Sequence, residues 1–311
     1  MLKFILFLLL PFSVAAQSAF DVIPLGIRGG LDESNLSAYM IAAAGSKKFV
    51  CADAGTVRYG IDRAIALKSL QASESKVLRN YIKGYLVSHG HLDHLSGLII
   101  NSPDDTSKNI YAMPYVIDVL KSKYFSWESW ANFADQGEKP ALGKYHYEAL
   151  EAGRKTEIAN TDLDVSAFEL AHSSPYKSTA FLLEHQDKFL LYLGDTGADR
   201  VEKSDKLAQL WQAVAELVKT KKLRALFIEV SYNNDQPETQ LFGHLTPKLL
   251  QEELAVLAKL TGKPAMAGLK VVITHIKPAR GVEARIKAEL NKANVFGVKF
   301  VFPEQGKRLS F

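Results

Sequence analysis

The sequence predicts an α/β protein in which two β-sheets pack together with helices outside. Short apolar runs, rich in β-branched and aromatic residues and bounded by turn residues, recur along the chain. Longer stretches with helical spacing of apolar residues separate them. The runs fall into two β-rich stretches, each followed by helices, with no repeat, low-complexity tract or interdomain linker between them. A chain of 311 residues is long enough to bury a large core.

In chain order, the expected strands are FDVIPLG, LSAYMIAAA, KFVCAD, GYLVSH and NIYAM, then LDVSAFEL, STAFLLEH, KFLLYLGD, ALFIEV, LKVVITH and VKFVF. Ile61 to Lys83 reads as a helix, as does Pro114 to Tyr124, where proline takes the first turn because its missing N–H costs nothing there. Asp199 to Thr220 and Val282 to Ala293 follow. The best-marked helix begins at HLTP: Thr246 caps, Pro247 takes the first turn, and Leu249, Leu250, Leu254 and Leu257 supply the apolar face. HQDK, His185 to Lys188, joins two strands as a hairpin turn. GIRGG, Gly26 to Gly30, lacks a following helix pattern and a GK[ST], so it reads as a plain turn.

The first residues, MLKFILFLLLPFSVAAQ, have the form of a cleaved signal peptide. Lys3 supplies the positive start, Phe4 to Phe12 the apolar stretch, and Val14 and Ala16 the small-residue cleavage site. The leader is expected to span residues 1–16, leaving a mature chain of 17–311 that is periplasmic or secreted. The apolar stretch is short for a membrane span, and no cysteine follows the cleavage site, so no stable membrane anchor is expected. The net charge of +4 carries no cationic block beyond VKTKKLR, Val218 to Arg224, whose cations complement a helix C-terminus. A nucleic-acid polymer is therefore not the expected partner. Cys51 is the single cysteine, so no internal disulfide forms, and its apolar surroundings read as core.

Three of the 8 histidines crowd into SHGHLDHLSGL, directly behind the apolar run GYLV. His89 and His91 sit two apart at a strand end, where alternate residues point the same way and can share one metal. A turn into a helix at Asp93 re-aims Asp93 and His94 towards a second point. Imidazole and carboxylate are good ligands for zinc, and this arrangement suits two metals better than one. Three further candidates each close an apolar run: His172 after DVSAFELA, Asp195 in FLLYLGD, and His275 after LKVVIT. Asp53 and Glu229 close FVCAD and ALFIE and could orient a metal-bound imidazole. Asn35 could contact a ligand or fix a loop. His146 and His185 lie outside any motif and read as surface residues.

HxHxDH followed by a histidine, an aspartate in GD and a late-strand histidine resembles the metallo-β-lactamase superfamily. The resemblance implies a four-layer αββα sandwich forming one catalytic domain over 17–311, with a dinuclear site at one edge. One metal would take His89, His91 and His172, the other Asp93, His94 and His275, and Asp195 would bridge them. The flanking residues narrow the likeness. HGHLDHLSGL, SNLSAYMI, ADAGT and GHLTP resemble the class II cyclic-nucleotide phosphodiesterases.

That resemblance implies two divalent ions, zinc first among them, and a metal-bridging hydroxide that opens a 3',5'-cyclic nucleotide, cyclic AMP above all, to a 5'-nucleotide. Asp93 and His244 are the expected catalytic residues, His244 as the acid that protonates the departing 3' oxygen. The expected partner is thus a small cyclic nucleotide, and a homodimer is left open. An arylsulfatase or other ester hydrolase would use the same ligands. A periplasmic zinc- or nucleotide-binding protein is the reading from a different class, and turnover separates it from an enzyme.

Overall fold

The computed structural model describes residues 18–311, so the leader expected over residues 1–16 lies outside the described residues. β1 (Phe20–Gly26), β2 (Ala38–Ala43) and β3 (Phe49–Ala52) form an antiparallel meander. The chain then passes through α1 (Arg58–Ala66) and α2 (Glu74–Lys76). It continues through β4 (Ile82–Leu86), α3 (Leu92–Asn101), β5 (Lys108–Ala112), α4 (Pro114–Val119) and β6 (Tyr145–Ala149). From β3 to β6 the pairing is parallel.

The second half repeats this plan. β7 (Lys155–Glu157), β8 (Asp164–Ala171), β9 (Lys177–His185) and β10 (Lys188–Leu193) pair antiparallel. Next come α5 (Asp199–Glu202), α6 (Lys206–Lys219), β11 (Leu223–Glu229), α7 (Pro247–Thr261) and α8 (Lys263–Met266). β12 (Lys270–Thr274), α9 (Val282–Ala293) and β13 (Lys299–Val301) follow, with β10 to β13 parallel. β14 (Leu309–Ser310) crosses back to pair with β1. Each sheet therefore has seven strands, ordered β14-β1-β2-β3-β4-β5-β6 and β13-β12-β11-β10-β9-β8-β7.

Alternation along the strands builds the layers. In β11, Phe227 points between the sheets, where its ring meets Tyr39 of β2 at 5.6 Å, while Leu226 and Ile228 point outward. That outer face packs under Trp211, Leu254, Leu257, Ile286 and Leu290 of α6, α7 and α9. On the other side Ile61 and Ala64 of α1 and Leu95 and Leu98 of α3 join the core. The order is helix, sheet, sheet, helix, as expected. Each strand expected from its apolar run is present; the sheets also recruit β6, β7 and β14, which are short or carry few aliphatic residues.

Helix bounds differ more. The helix expected over 61–83 is broken. α1 stops at Ala66, Lys68 takes a left-handed φ of 58°, Ser73 caps α2 through Lys76 N, and Ile82 and Lys83 already belong to β4. The helix expected over 199–220 is likewise two helices, separated at Lys203 with φ 54°. The Asp199 carboxylate accepts from Leu207 N and Ala208 N at the start of α6. α4 ends at Val119, and a wider π-type turn carries the chain to Tyr124. α9 keeps its expected bounds, and Thr246 caps α7 through Leu249 N. Gln186 and Asp187 both have positive φ, the backbone of a two-residue hairpin turn.

Candidate metal centre

Most of the polar residues singled out in the sequence follow the ends of strands that open on one edge of the sandwich. Asp53 follows β3, His89 to His94 follow β4, His172 follows β8, Asp195 follows β10, and His275 follows β12; Glu229 is the last residue of β11. His91 precedes α3, so Asp93 and His94 lie in its first turn, with the His94 ring 4.2 Å from that of His89. Gly194 allows Asp195 to reach the centre, because a Cβ there would lie 2.4 Å from Ser178 Oγ and 2.5 Å from Ser88 Cβ.

Seven side chains converge in two groups that share one carboxylate. Donor atoms of His89, His91, His172 and Asp195 lie within 4.8 Å of one another, as do those of Asp93, His94, Asp195 and His275. Asp195 is the pivot. Its Oδ1 is 3.2 Å from His94 Nε2, and its Oδ2 is 3.2 Å from His275 Nε2 and 3.8 Å from the Nε2 atoms of His89 and His172. His275 Nε2 is also 3.1 Å from Asp93 Oδ2. His89 Nε2 and His94 Nε2 are buried without a hydrogen bond, a costly condition for an imidazole nitrogen unless a metal takes its lone pair. Histidine and carboxylate donors at this spacing fit divalent ions.

The outer nitrogens explain why the inner ones face inward. His172 Nδ1 donates to the carbonyl of Gly243 at 2.8 Å. His94 Nδ1 donates to Asp53 Oδ2 at 2.7 Å. His89 Nδ1 meets Ser88 Oγ at 3.0 Å, and that hydroxyl donates to Asp53 Oδ2 at 2.8 Å. His275 Nδ1 meets Ser231 Oγ at 2.9 Å, and that hydroxyl donates to Glu229 Oε2 at 2.6 Å. Two buried carboxylates thus serve four histidines. Asp53 holds His94 directly and His89 through Ser88, and Glu229 holds His244 directly and His275 through Ser231. Each bond places a proton on Nδ1, which leaves Nε2 of His89, His94 and His275 free as a ligand.

Charge within the cluster is strongly redistributed. Burial, then His94 and His172, hold the His89 ring well below the usual histidine range; burial and His172 bring His91 down to about 4. Burial alone would lower His94, but Asp195, Asp53 and Asp93 outweigh it and raise it well above that range. Burial would raise Asp195, yet His275 and His94 hold it well below the usual carboxylate range. His244 follows the same logic as His94: burial opposes its proton, and Glu229 at 2.7 Å outweighs burial and raises it.

Asp195, Glu229, His244 and His275 form a further close group, but Glu229 and His244 are already bonded to each other. That pairing suits holding a proton better than holding a third ion. Asn35 lies outside the cluster: its side-chain oxygen accepts from Ile27 N at 3.0 Å, so it fixes the Gly26–Gly30 loop. Cys51 is buried behind the site, its thiol donating to the Asp53 carbonyl. His146 and His185 lie away from the cluster, paired with Asp135 and the Asp162 carbonyl.

A model of the class-II cAMP phosphodiesterases matches residues 71–306, which takes in the donor cluster from His89 to His275. The chain belongs to that family. It is 40% identical to a 3',5'-cyclic-nucleotide phosphodiesterase of Aliivibrio fischeri, with 96% of each chain covered. It is 39% identical to a probable 3',5'-cyclic-nucleotide phosphodiesterase of Yersinia pestis, over 96% of this chain and 92% of that one. Among solved structures, unliganded yeast PDE1 superposes with a TM-score of 0.85 at 23% identity, covering 95% of this chain and all of that one. The metallo-β-lactamase fold protein YhfI of Bacillus subtilis gives 0.65 at 14% identity, again over 95% and 100%. The fold of this class-II family member is thus the metallo-β-lactamase fold.

Four supporting groups escaped the sequence reading: Ser88, Ser231, Tyr192 and the Gly243 carbonyl. Tyr192 donates from β10 to Asp53 Oδ2 at 2.7 Å, across the space between the sheets. The available signal was position: Ser88 adjoins His89, and Ser231 stands two residues after Glu229.

Proposed function

We propose that this class-II phosphodiesterase hydrolyses 3',5'-cyclic nucleotides, cyclic AMP above all, to 5'-nucleotides at two zinc ions. The observation that carries the reading is the pair of four-donor groups sharing Asp195, in a member of this family. His89, His91 and His172 would hold one ion, Asp93, His94 and His275 the other, and Asp195 both. When bound, the ions supply an activated water and neutralise charge on the phosphate. Asp53, Ser88, Glu229 and Ser231 keep the ligand rings in one tautomer and orientation. His244 donates Nδ1–H to Glu229, which leaves Nε2 as the nitrogen able to carry a proton to the departing 3' oxygen.

The test is a turnover panel of cyclic AMP, cyclic GMP, a 2',3'-cyclic nucleotide and an aryl sulfate, run on wild type and His244→Ala with metal content measured. Wild type should convert cyclic AMP to 5'-AMP and leave the sulfate intact. His244→Ala should lose about 10²–10⁴-fold in kcat at a metal content near two. Turnover of the sulfate alone, or a 3'-AMP product, would overturn the functional reading; undiminished kcat in the variant would remove His244 from it.

Metal uptake should release protons. Asp195, Asp53 and Asp93 outweigh burial and favour a proton on His94 in the metal-free protein, and a ligand nitrogen must shed it. Affinity should therefore fall as pH falls. Calorimetry of zinc binding in buffers of different ionisation heat reads the proton count; zero release at pH 7 contradicts the assignment of His94.

A further inference from the structure

The GIRGG turn is more than a connection. A Cβ on Gly29 would lie 2.3 Å from the His275 ring, and one on Gly30, whose φ is 58°, would lie 3.6 Å from Lys277 Nζ and 3.8 Å from Asp93 Oδ2. Gly29 lets the loop pass against the His275 ring, Gly30 supplies the left-handed turn, and an ammonium and a donor carboxylate of the metal cluster both approach that turn. Lys277 and Asp93 also line one cavity of about 720 Å³, together with Leu31, Leu92 and Tyr232.

Lys277 is half-buried, and among the described residues no carboxylate oxygen comes within 4.0 Å of its ammonium. Arg28 and Arg285 near this edge are committed, Arg28 to Glu283 and Arg285 to Asp235 and Glu289. Its backbone is fixed, with Lys277 N donating to the carbonyl of Ser231, the same residue whose hydroxyl holds His275. A positioned cation without a partner, facing a cavity beside the metal ligands, is built for an anion brought in from outside. A phosphate oxygen suits it, since an ammonium acts as a point charge that tolerates a change of geometry from diester to monoester.

We propose that Lys277 is a substrate-binding residue that contacts the phosphate of the cyclic nucleotide and of its 5'-nucleotide product on the Asp93 side of the centre. This inference rests on the function proposed above. Binding of 5'-AMP and of adenosine to metal-loaded wild type, K277M and K277R, measured by calorimetry alongside metal content, tests it. K277M should bind 5'-AMP about 10- to 100-fold more weakly, with adenosine affinity and metal content unchanged, and K277R should recover part of the loss. Equal weakening of adenosine, which would place Lys277 on the nucleoside, overturns the proposal. So does loss of metal from K277M, which would make the lysine a prop of the centre, and so does unchanged 5'-AMP binding. A wild type that leaves cyclic AMP intact defeats the functional reading itself; a wild type that hydrolyses it while K277M binds 5'-AMP normally defeats only the role of Lys277.

Discussion

Asp195→Asn should lower kcat/KM by about 10³–10⁵-fold and deplete metal from both donor groups. The substitution is nearly isosteric, so packing around the buried side chain is preserved and the loss isolates the charge. Asp195 is the only residue common to both four-donor groups, and it faces five imidazoles, those of His89, His94, His172, His244 and His275. A neutral amide halves its capacity as a shared ligand and removes the negative charge that offsets a dicationic pair. Metal analysis by mass spectrometry, together with steady-state cyclic AMP hydrolysis, checks both halves. Retention of two ions with near-normal turnover would show that the centre does not hinge on this carboxylate.

Asp53→Ala should be the most destabilising change outside the ligands, at about 3–5 kcal/mol, and should weaken metal binding as well. The carboxylate accepts four hydrogen bonds in a fully buried pocket: from Ser88 N at 2.8 Å, Ser88 Oγ at 2.8 Å, His94 Nδ1 at 2.7 Å and Tyr192 OH at 2.7 Å. Alanine orphans every one of these donors. It also places a residue without a local hydrogen-bonding side chain at a φ of 52°, where aspartate is better tolerated. Asp53→Asn keeps shape and some acceptor capacity and should cost less than half as much. Denaturant unfolding of metal-loaded and chelated protein measures the cost. An alanine variant as stable as wild type, with full metal, would mean that water or a rearranged neighbour satisfies the donors.

The inner donors were legible because His89, His172, Asp195 and His275 follow apolar runs, where a polar side chain can be exposed at a sheet edge, and His91, Asp93 and His94 crowd behind the first of them. The same logic identified Asp53 and Glu229. It could not show that their reach is doubled through Ser88 and Ser231, since a serine reads alike in a turn, a cap or a relay. Nor could it give Tyr192 a partner 139 residues away. The helix expected over Ile61 to Lys83 failed for a local reason: apolar spacing persists through a segment that the left-handed Lys68 and the Ser73 cap divide. Gly29 looked like an ordinary turn residue because its necessity lies in the ring of His275, far along the chain.

The repeated sheet plan has a consequence for the order of events during synthesis. Residues before β7 carry His89, His91, Asp93 and His94, and those after it carry His172, Asp195 and His275. Neither donor group is complete in one half. A nascent chain gains its first full group only with Asp195 and its second only with His275, near the end of β12. If the two donor groups hold ions as proposed, neither can close until segments from both halves have met, so uptake would follow their docking and would clasp them together. Incomplete or truncated chains have no complete pair of sites with which to sequester metal.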